Sequence, residues 1–116
     1  MRFILVVLAA CLIAPAALAH AFLDRALPAV GSEVSGSPST LSLTYTEPVE
    51  PMFSSIQVTD ANGVRVDQGE ITGLDDGRVL VVTLKRLAPG VYTVAWHVTS
   101  VDTHKTEGHF QFTVKP

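Results

Sequence analysis

Past residue 19 the chain alternates. Leu41-Ser42-Leu43-Thr44-Tyr45 puts an apolar side chain at every second position, and Ile56-Gln57-Val58-Thr59 repeats the pattern. His109-Phe110-Gln111-Phe112-Thr113-Val114 is a third such run. A period of two is the mark of a strand with one buried face. Turn signals separate the runs: Asp60-Ala61-Asn62-Gly63, Asp75-Asp76-Gly77 and Ala88-Pro89-Gly90. They predict a hairpin-type turn from Ile56–Thr59 into a return strand over Val64–Val66, a strand over Val79–Leu84 and another over Val91–Val98. No 3.6-residue period is sustained. About seven short strands with turns between them predict an all-β fold, a Greek-key antiparallel β-sandwich. Tyr92, Val94, Trp96 and Val98 share one face of their strand, and Phe110, Phe112 and Val114 meet the same core from the neighbouring strand. Trp96 reads as the centrepiece of that core.

The first nineteen residues follow a different rule. Met1 and Arg2 form a short positive start, Phe3 to Leu18 are almost wholly apolar, and Ala17-Leu18-Ala19 offers small residues at a cleavage site. That is the pattern of a secretory signal peptide over residues 1–19, with His20 as the first mature residue. The apolar run is short of the roughly 20 residues that span a bilayer, and Pro15 interrupts it. Leu8-Ala9-Ala10-Cys11 resembles a lipobox, but cleavage there would leave a second apolar run, Leu12 to Ala19, on the mature chain. Residues 20–116 are then one exported domain with a single core.

Composition removes several kinds of chemistry. The single cysteine, Cys11, leaves with the signal, so the mature chain has no disulfide, thiolate ligand or cysteine nucleophile. Residues 20–116 carry seven Lys and Arg against eleven Asp and Glu, a formal charge of −4. No basic stripe exists, which argues against nucleic acid as a partner. There is no nucleophile elbow and no phosphate-cradling glycine loop.

Histidine remains, at positions 20, 97, 104 and 109. A histidine at a mature N-terminus offers its α-amine and its ring Nδ1 to one metal in a six-membered chelate. The alternative is an arbitrary, mobile residue left by cleavage. Asp102 and His104 make a second constellation in Ser100-Val101-Asp102-Thr103-His104. If that segment is extended, the two residues point to one side about 6.7 Å apart at Cα, within reach of one ion. A surface Asp–His hydrogen bond or an Asx-type turn accounts for the same spacing. His97 and His109 flank the inward Trp96 and Phe110, so both should face outward. They could form a weak secondary metal site across adjacent strands, although two polar residues on a wet sheet face are the simpler account.

The chain resembles the CopC-type periplasmic copper-resistance proteins along nearly the whole mature length. The resemblance rests on the histidine after the signal, Pro28-Ala29-Val30-Gly31-Ser32, and Leu43-Thr44-Tyr45-Thr46-Glu47-Pro48-Val49. It continues through Leu87-Ala88-Pro89-Gly90-Val91-Tyr92-Thr93-Val94-Ala95-Trp96 and Ser100-Val101-Asp102-Thr103-His104, then Gly108, Phe110 and Phe112. It implies a cupredoxin-like, immunoglobulin-like sandwich with one Cu(II) per chain. His20 would supply amine and imidazole, His104 a second imidazole and Asp102 a carboxylate oxygen. Glu47 matches a glutamate that lies at the site in some members. A CopD-type membrane copper transporter is the partner implied.

Donor chemistry agrees. Imidazole, amine and carboxylate suit tetragonal Cu(II), which tops the divalent affinity series, while Zn(II) could use the same donors tetrahedrally. A blue-copper centre needs a thiolate that the mature chain lacks. Some relatives add a methionine-rich Cu(I) site. Here residues 20–116 hold only Met52, which reads as packing or loop filler, so no dedicated Cu(I) site is expected. The expected function is a monomeric periplasmic Cu(II)-binding protein that buffers or delivers copper, and not an enzyme. The alternatives are a copper-dependent oxidative enzyme of histidine-brace type and a metal-free adhesion or assembly module.

Overall fold

The computed structural model describes residues 20–116; the expected signal peptide and Cys11 lie outside the described residues. The chain is all-β, with eight strands where about seven are expected. They are β1 (Leu23–Leu27), β2 (Glu33–Ser35), β3 (Thr40–Tyr45), β4 (Ser55–Thr59), β5 (Asp67–Leu74), β6 (Val79–Leu84), β7 (Gly90–Thr99) and β8 (Lys105–Lys115). Two four-stranded sheets face each other, in the orders β1-β3-β6-β5 and β2-β8-β7-β4. Every pairing is antiparallel except β2 with β8, which is parallel. Each of the first four connections carries the chain from one sheet to the other, so the two inner faces close one core between them.

The elements that alternate in sequence form as expected. On β7 and β8, Tyr92, Val94, Trp96, Val98, Phe110, Phe112 and Val114 are all buried. Trp96 pairs in register with Gly108. A Cβ on Gly108 would stand 2.5 Å from indole Cζ2, so only glycine lets the ring lie against that strand. Tyr45 meets the same indole edge-on, with ring centres 5.3 Å apart, and Tyr92 stacks on Phe112 at 5.6 Å.

Three departures have physical causes. The expected return strand over Val64–Val66 does not form. The Asp60 turn does, with Asp60 Oδ1 accepting from the N–H groups of Asn62 and Val64 at 2.9 Å each. Beyond it only an isolated Thr59–Arg65 bridge remains before the chain crosses to the other sheet as β5. Strands β1, β2 and β5 escape the alternation rule. A register shift between Leu23 and Arg25 breaks β1, and β2 has three residues with only Val34 half-buried. Strand β5 turns most of its residues to solvent. Finally, β8 begins at Lys105, well before the expected His109, because β7 and β8 pair without interruption from Gly90–Val114 to Thr99–Lys105.

Candidate metal centre

The β7–β8 pairing ends at Thr99 and Lys105, leaving Ser100–His104 as a hairpin loop. This segment is not extended; of the two arrangements the spacing allows, it is the turn. Thr103 has φ 74°, a left-handed conformation that reverses the chain and that few non-glycine residues adopt. Thr103 N–H donates to Ser100 O at 2.9 Å, and Ser100 N–H donates to His104 O at 2.8 Å. The loop leans on the segment after β3, through a Val49–Ser100 bridge and Val101 N–H donating to Pro48 O at 3.2 Å. A turn, rather than a pleat, brings Asp102 and His104 together: His104 Nδ1 lies 3.3 Å from Asp102 Oδ2. The pair is close enough for ionic attraction, yet the alignment makes no hydrogen bond, and His104 Nδ1 is buried without a partner.

His20 reaches this loop from the far end of the sequence. Ala21 is buried, and its carbonyl accepts from the Thr106 hydroxyl at 2.6 Å. Phe22 N–H donates to Thr46 Oγ1 at 3.0 Å, and Thr46 N–H returns a bond to Phe22 O at 2.9 Å. These ties set the half-buried His20 beside His104, with ring centres 5.1 Å apart and planes inclined by 59°. Its Nδ1 is also buried without a hydrogen-bond partner. Two such orphaned nitrogens side by side are unusual, because buried polar atoms are nearly always satisfied.

The spacing suits a shared ion. With metal–nitrogen bonds of about 2.0 Å, two imidazoles on one ion have ring centres about 4.5 Å apart when cis and about 6.4 Å when trans. The observed 5.1 Å falls between these. Among the described residues, no three His, Asp or Glu side chains are already closed around one point. His20, His104 and Asp102 are neighbours that small side-chain rotations would have to bring onto a metal. Glu47 is half-buried one residue beyond Thr46, and no hydrogen bond or ion pair joins its carboxylate to His20, Asp102 or His104 among the described residues.

Ser100 is the residue that sequence reasoning passed over. It is 2% exposed, its hydroxyl donates to Asp102 Oδ1, and its Oγ accepts from His104 N–H at 3.2 Å. One buried hydroxyl therefore orients both members of the Asp-x-His pair. The same hydrogen bond is the main cause holding the Asp102 carboxyl below the usual carboxylate range, with the nearby His104 adding to it against partial desolvation. Thr46 and Thr106 were equally silent, since their partners are 24 and 85 residues away. Of the two readings of Met52, packing or loop filler, the second holds: it is 92% exposed on a 3-10 turn, Pro51–Phe53.

A CopC domain family model matches residues 23–115, beginning three residues after His20. Protein YobA of Escherichia coli (strain K12) is 36% identical over 117 residues, covering 99% of this chain and 94% of that protein. Copper resistance protein C of Xanthomonas campestris pv. juglandis is 33% identical over 117 residues, covering 95% of this chain and 91% of that protein. Among solved structures, CopC from Methylosinus trichosporium OB3b superposes with a TM-score of 0.78 at 38% identity, over 84% of this chain and 95% of that one. The family match spans both sheets and the Asp102–His104 loop, and a solved CopC structure superposes on the same sandwich: the chain belongs to the CopC domain family.

Proposed function

We propose that this protein is a periplasmic Cu(II)-binding protein that buffers copper or passes it on, holding one ion between His20, His104 and Asp102. The observation that carries the reading is the pair of buried, unpartnered imidazole Nδ1 atoms on rings 5.1 Å apart, with a carboxylate 3.3 Å from one of them. Membership of a family whose relatives include copper resistance proteins supplies the metal. Imidazole and carboxylate donors favour Cu(II) over the other divalent first-row ions. Cleavage before His20 would add its α-amine as a fourth donor, and Glu47 or a water would complete the coordination. Copper is cargo in this reading, and the protein does no chemistry on it. A lone thioether at Met52 does not make a Cu(I) site, so transfer would be of Cu(II), to an acceptor such as a CopD-type membrane copper transporter. The protein acts as a monomer.

Titration of Cu(II) into the exported protein tests this. The expected result is a first equivalent giving a tetragonal electron spin resonance signal split by nitrogen. His104→Ala should weaken that binding at least about 10-fold and shift the signal to a set with one nitrogen fewer. Binding no tighter than that of a generic peptide would end the proposal.

Ser100→Ala probes the support of the site separately. It removes the hydroxyl that orients Asp102 and caps His104 N–H, and such partners of metal ligands typically contribute about 10- to 100-fold in affinity. A loss of about 10-fold in Cu(II) affinity is expected with the ligand set unchanged in the resonance spectrum. Unaltered affinity would mean that the loop holds its shape without Ser100.

A further inference from the structure

The outer face of the β7–β8 pair carries a second donor cluster. Ala95 stands opposite His109 in register, and His97 opposite Glu107. Ala95 and His97 alternate with buried neighbours on β7, and the exposed Glu107 and His109 with less exposed ones on β8. The four therefore form one square on the solvent side of the sheet, with three metal-donor corners and one methyl corner. The small side chain of Ala95 leaves open the space between the two imidazoles. Thr93, Ala95, His97, Glu107, Gly108 and His109 line a shallow depression there. Gln111, the next outward residue on β8, donates to Thr93 Oγ1 at 3.2 Å at the edge of this depression.

The spacing within the square fits a metal. His97 Nε2 and Glu107 Oε2 are 2.8 Å apart. Two donors bound at about 2.0–2.1 Å and at right angles on one ion are separated by about 2.9 Å. A divalent ion held by both would therefore need little change in the separation of these two donors. His109 lies diagonally across from His97, a relation that puts Cα atoms about 7–8 Å apart and leaves long side chains within reach of each other. We propose that His97, Glu107 and His109 form a second, lower-affinity site for a divalent first-row transition ion, separate from the His20–His104 centre. Among the described residues these three are not already closed around a point. His109 must swing onto the ion, and the exposed side chains, 63% for His97 and 73% for Glu107, must be ordered. That cost sets the expected affinity on the order of 10 μM, and Cu(II) should bind more tightly than Zn(II).

The test is a Zn(II) titration of the full chain followed by NMR of the four histidine rings, with Cu(II) competition afterwards. The rings of His97 and His109 should shift together along one micromolar isotherm, whatever happens at His20 and His104. His97→Ala and His109→Ala should each weaken that isotherm at least 10-fold, and Glu107→Gln about 3-fold, leaving the thermal midpoint of the apo protein unchanged. Independent shifts of the two rings, millimolar binding, or an isotherm insensitive to His97→Ala would overturn the site. Since the readout is ring-specific, failure of the first centre would leave this result interpretable.

Discussion

One residue added ahead of His20 is expected to weaken Cu(II) binding by at least about 100-fold. In the processed chain the α-amine and the ring Nδ1 of His20 would close on the same ion. Each is then held at the high effective concentration that a short tether provides. An extra residue turns that amine into a peptide nitrogen, whose lone pair is delocalised into the carbonyl and which binds only where the ion displaces its proton. The ring remains beside His104, held by the Thr106–Ala21 and Thr46–Phe22 hydrogen bonds, so the loss should be in the chelate alone. One residue added after Pro116 is the control, and it should leave affinity unchanged. The experiment begins with the intact mass of the exported protein, expected to correspond to residues 20–116. Isothermal titration of the two extended forms then gives the ratio. Equal affinities would remove the amine from the ligand set.

The largest effect on stability is expected at Asp67. Its side chain is fully withdrawn from solvent where the chain crosses from β4 to β5. Asp67 Oδ1 accepts from Val58 N–H at 2.8 Å and from Arg65 Nε at 2.9 Å, while Oδ2 accepts from Gly69 N–H at 3.2 Å. It thus satisfies an amide of the edge strand β4 that has no neighbouring strand to bond. Removing one partner of such a buried set costs about 3 kcal/mol, because the donors stay buried and unpaired. Asp67→Ala should lower the free energy of unfolding by that amount at neutral pH, and Asp67→Asn, which keeps one acceptor, by less. The pH dependence has a definite sign. Burial pushes the Asp67 carboxyl up, but the Arg65 hydrogen bond, the Val58 amide and the guanidinium charge outweigh it, and the net direction is downward. A folded pKa below the unfolded one means that the unfolded chain binds the proton more readily. The contribution is complete above the unfolded carboxylate range, about pH 4, and is lost as pH falls through the folded value. The gap between Asp67→Ala and the unsubstituted protein should therefore narrow in acid. A gap under about 1 kcal/mol at pH 7, or one that widens in acid, would contradict this account.

How legible each part was depended on the range of the interactions that make it. Alternation in Leu41–Tyr45, Ile56–Thr59 and Val91–Val98 announced β3, β4 and β7, because a half-buried strand must repeat every two residues. Strand β5 was not legible, since it lies at a sheet edge with most of its residues in water, where no pattern is imposed. Strand β2 was hidden by its length of three residues and by a parallel partner, β8, some eighty positions away. For the candidate centre, the residue types and the Asp-x-His spacing were visible, but spacing alone left an extended segment and a turn both open. A turn with Thr103 at positive φ is what brings the pair together.

His20, Asp102, His104 and the alternating strands belong to the sequence by itself: donor identity and a period of two are local properties, written in consecutive residues. Sequence also determined that residues 20–116 contain no thiolate and only one thioether. Tertiary structure alone decided that His20 stands 5.1 Å from a ring 84 positions away, because threonines on two other segments tie down its neighbours. It alone decided that Ser100 orients both members of the Asp-x-His pair, that Gly108 makes room for Trp96, and that His97 faces Glu107 across β7 and β8. Each of these depends on the register between strands. Register is set by the packing of whole faces against a shared core, and no short stretch of sequence contains it.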